Sequence, residues 1–286
     1  MAETVPLAWH HVRLRVPRHW EVVGYKNDAD DARLVLSDRH GETMHLFARP
    51  WPDPPRLTRR LADQVLAAGR TDLTPGQVRR RVASRHGWRV FVPPEVGAPA
   101  FAGRYDAGQR VLIHLTFPPH RDRSVPTVEE VLRSFEPNAG EERHWALFGL
   151  EVRLPAAMRL RDVRPLPAAQ VLRFENARGE SVAVHRYGMM PLALAGEDAA
   201  TFFARVQGRR CALRRQGAFL KDGRHEGVRL AYTTRGRGGF DILLARPWEG
   251  RVWFWRRDDL KRLCCADHHA LPAHRMDDLP ERVVCR

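Results

Sequence analysis

The 286-residue sequence predicts an α+β protein of two related domains, each an antiparallel sheet flanked by helices. Three observations carry that prediction. Short stretches alternate apolar with polar residues, the period of a half-buried strand, and end at prolines. The same stretches return at one constant offset of 138 residues. An amphipathic helix with a capping signature, followed by a polar segment, separates the two copies. The first domain is placed at residues 1–138, a linker at 139–144 and a second, divergent copy at 145–286.

The first strand signal is His11 to Pro17, matched at the offset by Gly149 to Pro155. Leu34 and Leu36 then fall on Leu172 and Phe174, Gly41-Glu42 on Gly179-Glu180, and Met44 and Leu46 on Val182 and Val184. Strand, glycine turn and strand read as a hairpin in each copy. A helix follows each hairpin. Leu57, Leu61 and Val65 recur every four residues in the first copy; Ala199, Phe202, Phe203 and Val206 follow Asp198, an N-cap candidate, in the second. Strand signals then return at Trp88 to Val92, Arg110 to Phe117, Val228 to Thr233, Phe240 to Leu244 and Val252 to Trp255. The closing helix of the first copy has Thr127 and Glu130 spaced as a capping box, with Val128, Val131, Leu132 and Phe135 on one stripe. Pro137 ends it. The polar segment from Pro137 to Glu142 leads to Trp145, which opens the second copy much as Trp9 opens the first.

This order of elements, with Val16-Pro-x-x-Trp20 at a strand end and Ser134-Phe135 in the last helix, resembles the Mog1/PsbP-like domain, here as a bacterial tandem pair. The resemblance covers most of residues 9–136 and, more weakly, 145–286. In the second copy Met158 stands where Trp20 stands in the first. That copy ends in Glu281-Arg282-Val283-Val284-Cys285 instead of a Ser-Phe helix. The resemblance implies an antiparallel sheet with helices on its faces, and a binding or assembly role. It supplies no catalytic residues.

Composition narrows the classes further. Hydrophobic residues make up 43% of the chain, enough for a core, and mean hydropathy is −0.46, which excludes collagen and disordered chains. No run of about 18 apolar residues is available to span a membrane. The N-terminus lacks a basic start followed by an apolar stretch, so a cytoplasmic protein is expected. The formal net charge is +14, yet only Lys26, Lys221 and Lys261 are lysines. That bias toward arginine points to a GC-rich genome as much as to a polyanionic partner. The excess concentrates between Arg205 and Arg237, including Arg209, Arg210, Arg214 and Arg215, with a smaller run at Arg79, Arg80, Arg81 and Arg85. Guanidinium groups grip carboxylate and phosphate, so the first of these stretches is the candidate patch for an anion or partner.

One cluster has metal-ligand chemistry. Cys264, Cys265, His268, His269, His274 and Cys285 crowd the C-terminus, and Cys265, His268, His274 and Cys285 form the candidate zinc set. Adjacent cysteines in a strand point to opposite faces, and no Cys-x-x-Cys knuckle exists, so a buried structural role is the competing reading. Trp253 and Trp255 between Arg251 and Arg257 suggest either core packing or a stacking platform for bases. No P-loop, Gly-x-Gly-x-x-Gly, Gly-x-Ser-x-Gly or His-Glu-x-x-His motif occurs. No catalytic residue is therefore assigned and no cofactor is expected. A non-catalytic binding or assembly protein with a protein partner is the leading expectation. The alternatives are a nucleic-acid-binding protein using Arg205–Arg237 and a zinc-binding protein or enzyme using the C-terminal cluster.

Overall fold

Pro17, Pro50 and Pro119 each end a strand, where a residue without a backbone N–H cannot continue the ladder. The computed structural model describes residues 3–28, 30–38, 40–69, 71–95, 97–119, 125–166, 168–188, 196–198, 201, 202, 205, 211–234 and 248–286. The chain divides into two units, Met1–Gly140 with His144–Leu147, and Glu141–Arg143 with Phe148–Arg286. No helix among the described residues is long and apolar enough to cross a membrane.

The first unit opens with β1 (Thr4–Trp9) and β2 (Val12–Pro17), an antiparallel pair. The strands β3 (Glu21–Lys26), β4 (Ala32–Ser37) and β5 (Thr43–Pro50) form a meander. Helices α1 (Leu57–Ala67) and α2 (Pro75–Arg81) follow. The strands β6 (Ala83–Arg85), β7 (Trp88–Phe91), β8 (Pro99–Asp106) and β9 (Val111–Pro119) complete an antiparallel sheet in the order β3-β4-β5-β9-β8-β7-β6. Across it runs a row of cross-strand partners: Leu34, Leu46, Leu115, Ala102, Val90 and Ala83. All are buried except Ala83, which stands at the edge. The opposite face carries α1, whose Leu61, Ala62 and Val65 pack with Phe91 and Phe101.

The last helix, α3 (Val125–Arg133), begins two residues before Thr127, so Thr127 stands inside its first turn and not ahead of it. Pro126 suits this position, because the first turn leaves its N–H groups unused and a fixed φ favours the helix. Helix α2 went unread in the sequence. Its signature is there, since Thr74 and Gln77 form a capping box and Pro75 opens the helix. After β10 (Glu136–Pro137), β11 (Glu142–Leu147) starts inside the stretch 139–144 expected as a linker. Asn138 is buried before it and bridges the backbone of His10 and His144. In the first unit Trp9 meets Trp145 edge to face, with ring centroids 6.2 Å apart.

The second unit contains β12 (Leu150–Pro155), then β13 (Arg159–Leu166), β14 (Ala169–Glu175) and β15 (Ser181–Tyr187). Asp198 accepts from the backbone N–H of Thr201 at 2.8 Å, as an N-cap does, and Thr201, Phe202 and Arg205 are helical. Ala199, Phe203 and Val206, with the expected strand from Phe240 to Leu244, lie outside the described residues. The strands β16 (Cys211–Lys221), β17 (His225–Thr234), β18 (Trp248–Arg257), β19 (Arg262–Ala270) and β20 (Val283–Cys285) finish the chain. The large sheet has the order β13-β14-β15-β19-β18-β17-β16, the same as in the first unit. Its central partners Leu172 and Val184 stand 138 positions after Leu34 and Leu46.

Candidate functional site

The C-terminal Cys/His residues are placed chiefly by β19. Side chains alternate along a strand, so Cys265 and His268, an odd number apart, face opposite sides of the sheet. Cys265 packs with Phe202, Leu230 and Phe254, and burial pushes its thiol well up, with Asp267 adding to the effect. Cys285 on β20 meets Cys264 instead, and burial likewise raises its thiol. His268 accepts at Nδ1 from the Met276 N–H at 3.3 Å, and burial pushes its pKa down to about 4. His274 is engaged by the buried Glu180. The four candidate zinc ligands are therefore not brought together. Among the described residues no group of three or more His, Cys, Asp or Glu side chains is arranged to hold a metal.

The basic stretch is only partly described. Arg205 ion-pairs with Glu197 at 3.0 Å and lies over the Phe202 ring. Arg209 and Arg210 lie outside the described residues, and Arg214 and Arg215 are described in backbone only, on β16. That strand is the end of its sheet, as β6 is of the other, so both arginine runs reach the same edge of equivalent sheets. Trp253 and Trp255 are buried on one face of β18, and Val252 and Phe254 on the other. Both faces are core, so the tryptophans form no stacking platform. The flanking Arg256 and Arg257 pair with Asp258 and Asp259 at 3.0 and 2.8 Å.

The feature that sequence reasoning missed lies in the first unit. Between α3 and the end of the sheet is a small cavity open to solvent. Val90, Ala100, Pro118 and Leu132 line it, Val92 stands exposed at its border, and Arg85 and Glu129 supply its charge. Glu129 bonds to His86 and lies 3.4 Å from Arg85. The His86 hydrogen bond, reinforced by Arg85, holds the Glu129 carboxyl below the usual carboxylate range. Arg104 donates to the His86 carbonyl at 3.0 Å and sits over the Phe135 ring, which steadies the turn carrying His86. Such a site is a mostly apolar socket with an Arg/Glu pair in its wall. Its only signal in the sequence was the stripe Val128, Val131 and Leu132, which reads as core in any helix.

No protein-family model matches the chain, and no curated protein matches it. Among solved structures it is similar to PsbP (CyanoP) from Synechocystis sp. PCC 6803, at 14% identity over 52% of this chain and 94% of that one, with a TM-score of 0.35. It is also similar to the Ran-binding protein Mog1p of Saccharomyces cerevisiae, at 10% identity over 46% of this chain and 78% of that one, with a TM-score of 0.33. A third similarity, to the immunity protein TplEi of the T6SS from Pseudomonas aeruginosa, has 11% identity, covers 99% of this chain and 97% of that one, and has a TM-score of 0.30.

Proposed function

We propose that the chain is a non-catalytic binding or assembly protein of the cytoplasm, built of two related Mog1/PsbP-like domains and directed at another protein. The observation that carries this reading is the cavity beneath α3, lined mostly by alkyl side chains, with Arg85 and Glu129 as the charged members of its described lining. A socket of that kind holds an apolar side chain of a partner, while the charged pair sets its orientation. The equal strand order of the two large sheets supports the duplication. The buried free thiols of Cys264, Cys265 and Cys285 fit a reducing compartment.

The test uses the purified full chain with each protein encoded beside its gene, followed by light scattering on the eluted complexes. A stoichiometric complex that Val92→Glu disrupts is the expected result, because Val92 is exposed at the cavity border. Turnover of a substrate by the purified chain overturns the reading. So does preferential binding of nucleic acid at moderate salt.

A further inference from the structure

The large sheet of the first unit ends at β6, and its three residues, Ala83, Ser84 and Arg85, are all exposed. β6 and β7 are joined by His86 and Gly87, whose φ values of 49° and 78° are those of a type I′ hairpin turn. In such a hairpin the residues flanking the turn, Arg85 and Trp88, exchange both backbone hydrogen bonds. The next pair, Ser84 and Arg89, does not. The N–H and C=O of Ser84 therefore point away from β7, toward the open edge. An edge with outward N–H and C=O groups is a template for another strand.

The surroundings select the occupant. Arg79, Arg80 and Arg81 end α2, and Arg85 and Arg89 lie on β6 and β7; all are exposed. Among the described residues Arg79, Arg80, Arg81 and Arg89 have no carboxylate partner, while Arg85 shares Glu129 with His86. A row of cross-strand partners reaches the edge at Ala83, one strand beyond Val90 in the cavity wall. A long apolar side chain on an added strand, opposite Ala83, extends that row over a single methyl group toward the cavity. Residues beside it in sequence point to the other face, where Arg89 lies.

We propose that β6 is the docking edge for an extended acidic segment of a partner protein, which adds a strand beside β6 and lodges one apolar side chain under α3. The inference rests on the protein-binding reading above and names the chemistry of its partner. A strand edge answers the main chain of a polypeptide. Nucleic acid offers no such ladder, although its phosphates would be drawn to the same arginines.

The test is fluorescence anisotropy of the full chain with a labelled peptide of about ten residues, Glu alternating with Val around a central Phe. Ser84→Pro removes the outward N–H and leaves the ladder to β7 intact, because proline is tolerated on an edge. The expected result is a loss of at least about tenfold in affinity with an unchanged melting temperature. Arg79→Gln, Arg80→Gln and Arg81→Gln together are expected to weaken binding and flatten its salt dependence; this variant decides the matter if Ser84→Pro does not fold. Parental affinity in either folded variant overturns the proposal, as does tighter binding of an oligothymidylate of equal charge. If both edge variants are silent while Val92→Glu still disrupts the complex with the partner protein, the docking edge falls and the protein-binding reading stands.

Discussion

Asn138 holds a place that hydropathy alone would give to solvent. Its side-chain amide donates to the carbonyls of His10 and His144 at 2.8 and 2.7 Å, and its oxygen accepts from the His144 N–H at 2.9 Å. Losing all three bonds leaves buried backbone groups unpaired, each costing roughly 1–3 kcal/mol. Asn138→Ala should therefore lower unfolding stability by about 2–4 kcal/mol, read as a shift in the urea midpoint at constant m-value. A shift below about 0.5 kcal/mol would mean that water replaces the amide. Nothing in the sequence marks this asparagine, which sits in a polar segment beside proline and glycine. Gly87 is easier to justify. Its φ is positive, and a Cβ there would lie 2.7 Å from Nη1 of Arg104.

At the scale of elements, periodicity was legible and facing was not. Leu57, Leu61 and Val65 specify α1, and Leu61 and Val65 are buried where the stripe requires. Leu61→Ala should cost about 2–4 kcal/mol in chemical denaturation, since the helix has few other anchors. A cost under about 1 kcal/mol would mean that α1 shifts to close the gap. The C-terminal cluster shows the converse. Cys265-x-x-His268 looks like a ligand pair in the letters, but an odd spacing within a strand sends the two side chains to opposite faces. Treating the protein with a chelator is accordingly expected to leave its melting temperature unchanged. A fall of several degrees, restored by zinc, would contradict the arrangement of β19. The stretch read as a linker shows the same limit. Pairing of β11, which starts at Glu142, with β1 is a long-range fact, whereas polarity is local.

At the scale of the whole molecule, burial holds three histidines neutral among the described residues. His114 in the first unit, and His185 and His268 in the second, each have their pKa pushed down from 6.5 to about 4, chiefly by desolvation. In the folded chain they remain unprotonated through the window from 6.5 to about 4, where the unfolded chain takes up protons. Stability is therefore expected to fall as pH drops through that window. Both ring nitrogens of His114 are buried without a hydrogen-bond partner, so His114→Leu should lose less stability on acidification than the parent. Equal acid sensitivity in the two proteins, measured by urea melts at about pH 7 and about pH 4.5, would refute the assignment for His114.

Alternation, prolines and glycine turns by themselves determined where about half of the described strands run and that their pattern returns at an offset of 138, because these signals act through the backbone within a few residues. They placed the segments that became β2, β4, β5, β12, β14 and β15. Tertiary structure alone decided which Cys and His residues meet, that the tryptophans of β18 are core, and that both arginine runs reach a sheet edge. It also made the socket under α3. The physical reason is that a face or an edge exists only after strands distant in sequence have paired. Until β6 ends its sheet beyond β7, Arg85 is one arginine among many; afterwards it stands in the wall of a cavity beside an open edge.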